Sequence, residues 1–270
     1  LKIELSAPAN LRTVPGKGRL IVPADDANLA DVLAKGAWTP VERFSVDAVT
    51  DGAAWRAESL SEDGSAFAVF RDGVKQGEVH WTMTGRHSVS NGMVAIMAAE
   101  HCGVSVADAC AALSTFPGVK RRMEVVGEVK GITVYDDFAH HPTAIRETLR
   151  ALRLRYGRDK IWAIFEPRSN TTRRNVFQTE LAESFAEADG VVVSQVARLE
   201  LLAPEERLNP EKLIADLTAS GKDAAYLPDV DSIVIHVASK VQGGDLVVVF
   251  SNGSFGGIQG KLLERLGRRL

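Results

Sequence analysis

Ile132-Thr133-Val134-Tyr135-Asp136-Asp137-Phe138-Ala139-His140-His141-Pro142-Thr143 decides how the second half of this chain is read. Its first four residues form an apolar, β-branched run of strand type. Residues 144–154 then carry apolar side chains at helical spacing. Proline stands at the opening of the helix-like part, where a missing N–H costs nothing. Two carboxylates and two imidazoles thus crowd one strand-to-helix turn, the place where open α/β sheets hold their ligands. A turn that only connected two elements could be made of Gly and Asn, so this one points to chemistry or recognition.

The alternation continues to the C-terminus. Strand-like runs at 161–165, 191–194, 224–227 and 246–250 are separated by helix-like runs at 174–188, 210–219 and 232–241, and 258–266 closes the chain. Short apolar strands alternating with helices predict a Rossmann-like, mostly parallel sheet with helices on both faces. A hairpin of 123–129 and 132–136 around Lys130-Gly131 leads into it.

Upstream the pattern differs. Residues 19–22 read as a strand and 28–35 as a helix. Runs at 43–49, 55–60, 66–71 and 76–83 read as an antiparallel meander, with Asp72-Gly73 as a hairpin turn. Helices at 89–101 and 106–116 follow, broken at Gly103, with Ser105 as N-cap. Phe116-Pro117-Gly118 makes a linker. The expected fold is therefore α/β in two domains: a partial α/β domain with the meander over 1–119, and the Rossmann-like domain over 120–270. The chain begins at Leu1 without an initiator methionine, and residues 1–10 connect to no periodic element. They are expected to be non-native or disordered, and the chain to be a piece of a longer protein.

Composition narrows the function classes. Of 270 residues, 45% are hydrophobic and 25% charged, an ordinary globular balance. A net charge of -3 argues against a nucleic-acid partner. No apolar run approaches the roughly 20 residues of a membrane span, and no basic-then-apolar leader opens the chain. Cys102 and Cys110, in an apolar helical region, read as small reduced core residues, which fits a cytoplasmic home.

Four strand-end turns carry the polar residues that a scaffold does not need: 136–141, 166–173, Ser194-Gln195 and 251–257. In a parallel sheet they share one edge and can line a single cleft. Three readings of 136–141 stay open: ligands for a divalent metal, an acid accepting nucleotide sugar hydroxyls, or an N-cap beside solvent-exposed histidines. In Glu166-Pro167-Arg168-Ser169-Asn170-Thr171-Thr172-Arg173, Arg168 could clamp a carboxylate at a helix start. The plainer alternative is a helix cap at Asn170 or Thr171. Ser251 to Gly257 is glycine-rich but lacks the order of a dinucleotide fingerprint. No GxxxxGK[ST], GxSxG or HExxH is present. His80 and His236 stand alone and read as structural.

Four separated motifs, in order, resemble the Mur ligases that take UDP-N-acetylmuramate. Asp136 to Thr143 resembles the start of that family's C-terminal domain, and Gly85-Arg86-His87-Ser88-Val89-Ser90-Asn91 its central-domain GxHNxxN helix start. Val119-Lys120-Arg121-Arg122-Met123-Glu124 resembles its inter-domain Arg motif. Phe165 to Thr171 and Arg19 to Asp26 resemble one branch, which attaches the tripeptide L-alanyl-γ-D-glutamyl-meso-diaminopimelate to UDP-N-acetylmuramate in murein recycling. The resemblance implies an ATP- and Mg2+-dependent reaction through an acyl phosphate, with only small-molecule substrates as partners. It implies that residues 1–119 are the C-terminal half of the ATPase domain and that 120–270 receive the amine.

Carried over residue by residue, the resemblance places Asn91 at the adenine, Arg122 at the ATP phosphates and Asp137 at the ribose, with His87 also among the ATP-binding residues. It places His140 near the amine substrate and Arg168 at one of its carboxylates, with His141, Ser169 and Asn170 also among the substrate-binding residues. Ser88 stands where the family usually has an Asn, and Phe138 where a Tyr is common. The family's phosphate loop and magnesium ligands have no counterpart in the 270 residues, so no metal ligand is assigned and the chain alone is expected to be inactive. A truncated sheet edge in the first domain could drive self-association. Alternative readings are a piece of the L-alanine ligase of the same family, a non-catalytic nucleotide- or peptide-binding module, and a metal-dependent phosphoesterase.

Overall fold

The computed structural model describes residues 13–196 and 199–268; the expectation for residues 1–10 lies outside them. The chain divides into two compact units between Pro117 and Gly118. Among the described residues no helix is long and apolar enough to cross a membrane.

Among the described residues the first unit is one five-stranded sheet with three helices. Its elements in chain order are β1 (Leu20–Pro23), α1 (Ala27–Ala34), β2 (Val41–Val46), β3 (Trp55–Ser59), β4 (Ala66–Arg71), β5 (Val74–His80), α2 (Arg86–His101) and α3 (Val106–Ser114), and the strands lie in sequence order. Asp26 caps α1 by accepting the Leu29 N–H (2.9 Å), and Ser105 caps α3 through Asp108. Asp72 and Gly73, both at positive φ, turn β4 into β5. The core lies between sheet and α2, where Phe44, Trp55, Phe67, Met93, Ile96 and Met97 are fully buried.

Two expectations fail here. Only β3, β4 and β5 form an antiparallel meander; β1, β2 and β3 run parallel. A parallel connection ordinarily takes about a dozen residues or more. Residues 47–54 suffice because β2 and β3 overlap by only three pairs, so the chain doubles back a short way. Asp47 makes the turn at φ 64, its carboxylate accepting the Ser59 N–H (2.7 Å). Alternating strand patterns look alike in either direction, so the sequence carried no sign of this. The second failure is Cys102, which is exposed at the end of α2; only Cys110 is in the core.

The second unit is a six-stranded sheet. A hairpin of β6 (Glu124–Val129) and β7 (Ile132–Asp137) turns at Lys130 and Gly131, and β7 joins four parallel strands: β8 (Ile161–Phe165), β9 (Gly190–Ser194), β10 (Asp223–Leu227) and β11 (Leu246–Phe250). Their order is β10-β9-β8-β11-β7-β6. Helices α4 (Pro142–Tyr156), α5 (Gln178–Ser184) and α6 (Pro210–Ala219) cover one face, where Ile145, Leu149, Leu181 and Leu213 pack on Phe165 and Phe250. Helices α7 (Val230–Lys240) and α8 (Ile258–Gly267) cover the other, with Ile233, Val237, Ile258 and Leu262 on Val134, Ile164 and Val249. This is the mostly parallel, doubly covered sheet the alternation predicts.

One helix is shorter than expected. Residues 174–188 contain a 3-10 turn (Asn175–Phe177) and then α5, which ends at Ser184. Arg174 makes an isolated bridge to Arg207, and 185–188 close in tight turns on Ala182, Glu183 and Phe185, so neither end keeps helical geometry.

The strand order creates a crevice. From β7 the chain steps through β8 and β9 to β10, then returns and slots β11 between β7 and β8. The turn after β7 leads to α4 on one face, whereas the turn after β11 leads to α8 on the other. Neighbouring connections that leave in opposite directions part above the sheet, and ligands bind at such switch points.

Candidate functional site at the strand ends

The carboxyl ends of β7, β11 and β8 stand side by side, so residues 137, 251 and 166, distant in sequence, become neighbours. Asp136 and Asp137 are the last two residues inside β7, not part of an open turn, and expose only 8% and 2% of their surface. Alternation along the strand sends them to opposite faces. Asp137 accepts the Met123 N–H (2.8 Å) on one oxygen and the Ala139 N–H (2.7 Å) on the other. In this structure it clamps backbone. Asp136 pairs with Arg121 (Nε to Oδ2, 3.0 Å).

His140 and His141 differ. His140 is half-buried, with Nδ1 3.0 Å from the Phe138 carbonyl. A carbonyl only accepts, so Nδ1 carries a proton and Nε2 of the neutral ring is the free acceptor. His141 is the N-cap of α4: its Nδ1 accepts the Thr143 N–H (3.3 Å) and its ring meets Phe177 edge-on. Burial holds its pKa below the ordinary imidazole value, helped by the positive charge of Arg146. The capping bond needs the same neutral Nδ1.

At the end of β8, Arg168 is half-exposed, its Nη1 3.9 Å from a Glu166 oxygen. It lies along Gly253, where an added Cβ would come within 2.3 Å of Nη1. Ser169 and Thr172 bond each other twice, backbone N–H to hydroxyl, at 3.1 Å each way. Asn170 accepts from Arg173 (2.6 Å). The expected helix start is absent, since the chain makes turns through Arg174 before any helix. Arg168 is therefore presented by a hydroxyl-braced turn, and the anion-binding argument from helix N–H groups does not apply. Ser169 spends its hydroxyl on the turn; Asn170 keeps its amide NH2 outward.

The glycine-rich turn after β11 packs closely. Ser251 is fully buried; its hydroxyl donates to Glu166 and accepts the Gly253 N–H (2.9 Å). Ser194 and Gln195, at the end of β9, lie one strand further out, and the Gln195 N–H bonds to Leu227. Arg122 is exposed, with its guanidinium 5.6 Å from the centre of the Phe138 ring.

Sequence reasoning passed over Arg121, Glu166 and Ser251. Arg121 sits at φ 58, in the left-handed region, and only its place in the RRM triplet marked it. Among the described residues no three of His, Cys, Asp or Glu converge as metal ligands. The Asp136 to His141 cluster is split between two faces and a helix cap, so it offers no donor set for a metal.

In the first unit, His87 and Asn91 lie one turn apart on α2, half-buried and exposed respectively. Ser88 is 3% exposed and donates to the Thr84 carbonyl (2.7 Å), so it faces inward.

The second unit is a doubly covered, mostly parallel sheet with polar strand-end turns, and residues 121–253 match the model of the Mur ligase, glutamate ligase domain. The second unit belongs to the Mur ligase family as its C-terminal domain. The chain is 42% identical over 260 residues to the UDP-N-acetylmuramate–L-alanyl-γ-D-glutamyl-meso-2,6-diaminoheptandioate ligase of Escherichia coli K12, covering 96% of this chain and 54% of that protein. To the UDP-N-acetylmuramate–L-alanine ligase of Acetivibrio thermocellus it is 31% identical over 247 residues, 90% of this chain and 51% of that one. The crystal structure of a murein peptide ligase from Psychrobacter arcticus superposes with a TM-score of 0.74 at 41% identity, covering 97% of this chain and 54% of that one. The chain spans about half the length of the relatives it matches.

Proposed function

We propose that this chain is the amine-receiving part of an ATP-dependent, cytoplasmic ligase of murein recycling. The ligase joins the carboxylate of UDP-N-acetylmuramate to the amino group of L-alanyl-γ-D-glutamyl-meso-diaminopimelate. The observation that carries this is the shared rim of β7, β11 and β8, which sets a half-exposed Arg168 and a turn bearing His140 on either side of the turn after β11. A guanidinium suits a peptide carboxylate. An imidazole with a free Nε2 suits an amine that must lose a proton as it attacks.

ATP first converts the sugar carboxylate into an acyl phosphate. The amine then attacks the carbonyl carbon, the C–O bond to phosphate breaks, and an amide, ADP and phosphate result. In this reading His140 takes the proton of the incoming ammonium, Arg168 and the Asn170 amide hold the peptide carboxylates, and His141 sets the start of α4. Arg122 serves the ATP phosphates, and His87 and Asn91 serve adenine in the first unit. Asp137 supports the nucleotide side by holding Met123 and Ala139 in place.

The tripeptide is favoured over free L-alanine because the relative named for it is closer in sequence, 42% against 31%. Isothermal titration of the chain with tripeptide tests the reading. Binding that weakens at least about tenfold in Arg168→Ala, as for the loss of one charge-assisted contact, supports it; no heat with the wild-type chain defeats it. The chain given ATP and both substrates should release no ADP, because its sequence contains no loop to place the γ-phosphate.

A further inference from the structure

Arg121 holds together the turns that the proposed reaction uses. At φ 58, and with Met123 at φ 49, it brackets Arg122 between two left-handed residues. The kinks aim the main chain of both neighbours at the end of β7: the Arg121 carbonyl accepts the Phe138 N–H (2.7 Å), and the Met123 N–H donates to Asp137. Arg122 is thereby turned outward over Phe138. The Arg121 guanidinium also lies against the Phe138 ring, 5.2 Å from its centre, and reaches the ends of β7 and β11. Its Nε donates to Asp136, and its Nη2 donates to the carbonyls of Ser251 (2.6 Å) and Gly253 (2.8 Å). The second Asp136 oxygen, also buried, has no hydrogen-bond partner among the described residues, and this guanidinium is the carboxylate's counter-charge.

From there the contacts continue. Ser251 donates to Glu166, and Gly253 forms the surface against which Arg168 lies. One planar fork thus links the turn that presents Arg122 with the turn that presents Arg168. A lysine carries the charge but lacks the geometry to hold a carboxylate and two carbonyls at once.

We propose that Arg121 is the positioning residue of this site. Its guanidinium sets the pose of Arg122 on the nucleotide side and of Arg168 on the amine side together. The positioning itself rests on the geometry of the second unit; its importance for catalysis rests on the ligase reading above.

The test has two arms. In the first, arginine Nε–Hε signals of the 270-residue chain are assigned by NMR and compared in Arg121→Gly, which keeps the left-handed backbone, and Arg121→Lys, which keeps the charge. Both variants are expected to move the Arg122 and the Arg168 signals at temperatures well below unfolding, where lost stability alone would move neither. An unmoved Arg168 signal in either variant overturns the proposal. If both variants unfold, Asp136→Asn, which removes the counter-charge and leaves the two carbonyl contacts in place, is expected to move the Arg168 signal by a smaller amount. Failure to move it is the overturning result.

The second arm uses the full-length ligase that contains this segment. Arg121→Gly should raise KM for ATP and for tripeptide together, with a loss on the order of 10²-fold in kcat/KM, the scale of a small misplacement, and Arg121→Lys should not rescue it. The penalty of Arg168→Ala on the tripeptide KM should shrink in the Arg121→Gly background. Full multiplicativity, or unchanged KM values with only a lower melting temperature, overturns the coupling. A wild-type enzyme that forms no amide defeats the ligase reading instead, and the NMR arm then decides the positioning by itself.

Discussion

Replacing Asp137 by Ala separates a carboxylate that holds the fold from one that waits for a ligand. Asp137 is 2% exposed, and its two oxygens take the N–H groups of Met123 and Ala139 at 2.8 and 2.7 Å. A hydrogen bond to a charged group contributes about 1.5–3 kcal/mol. Alanine removes both and leaves two donors facing a small void. Taking the lower figure twice, because water can enter at the strand end, gives about 3 kcal/mol. Asn keeps one acceptor and turns an NH2 toward the other N–H, so roughly half of that loss remains. Amide hydrogen exchange read by mass spectrometry on peptides covering 119–140 measures it directly, since local opening sets the rate. At 1.36 kcal/mol per tenfold, Asp137→Ala should speed exchange at Met123 and Ala139 by about two powers of ten. Acceleration of less than about threefold (under ~0.7 kcal/mol) would refute the clamp. Weakened ATP binding by Asp137→Asn at unchanged protection would instead make Asp137 a ribose ligand, as the family resemblance implies.

Gly190→Ala should lower the calorimetric melting temperature of the second unit by several degrees. Its Cβ would sit 2.3 Å from the buried Trp162 indole, a rigid neighbour, at a cost of about 2 kcal/mol. Gly253→Ala meets only the mobile end of Arg168, at 2.3 Å. Stability should therefore hold in a thermal melt while tripeptide affinity by calorimetry falls about tenfold, or roughly 1.4 kcal/mol. His141 should titrate by NMR below the ordinary imidazole value of about 6.5. Because its folded pKa is lowered, the unfolded chain binds more protons in that window, and stability is lost as pH falls below about 6.5. His141→Asn, which can still cap α4, should flatten that part of the melting-temperature profile relative to wild type.

Where a local signal fixes an element, the sequence was legible. Pro142 marked the start of α4, Lys130-Gly131 and Asp72-Gly73 marked hairpins, and Ser105 marked a cap. The runs 161–165 and 246–250 coincide with β8 and β11. In the first unit strand direction was not legible, because a half-buried strand alternates in the same way whichever way its neighbour runs. The end of β7 was misjudged for a related reason. Two consecutive acids read as a turn, yet each is buried by a partner the local sequence does not reveal: Arg121 fifteen residues earlier for Asp136, and the Met123 and Ala139 amides for Asp137.

The site exposes the deeper limit. Its turns were foreseen as members of one rim, but their order along the rim decides the chemistry, and that order comes from a single topological choice. Had β11 joined the outer edge beside β10, two strands would separate Ser251 from Glu166, and Arg121 would have no carbonyls of Ser251 and Gly253 within reach. Because it enters between β7 and β8, the last turn of the chain becomes the floor on which the first and second are fixed. The constraint is then cooperative: Asp136 needs the guanidinium, the guanidinium needs the two carbonyls, and Ser251 needs Glu166. A partly satisfied buried network costs more than an apolar one, so selection on stability and on substrate geometry act here on the same few side chains. That is why a residue with no assigned contact to either substrate, Arg121, is the one whose loss should disturb both.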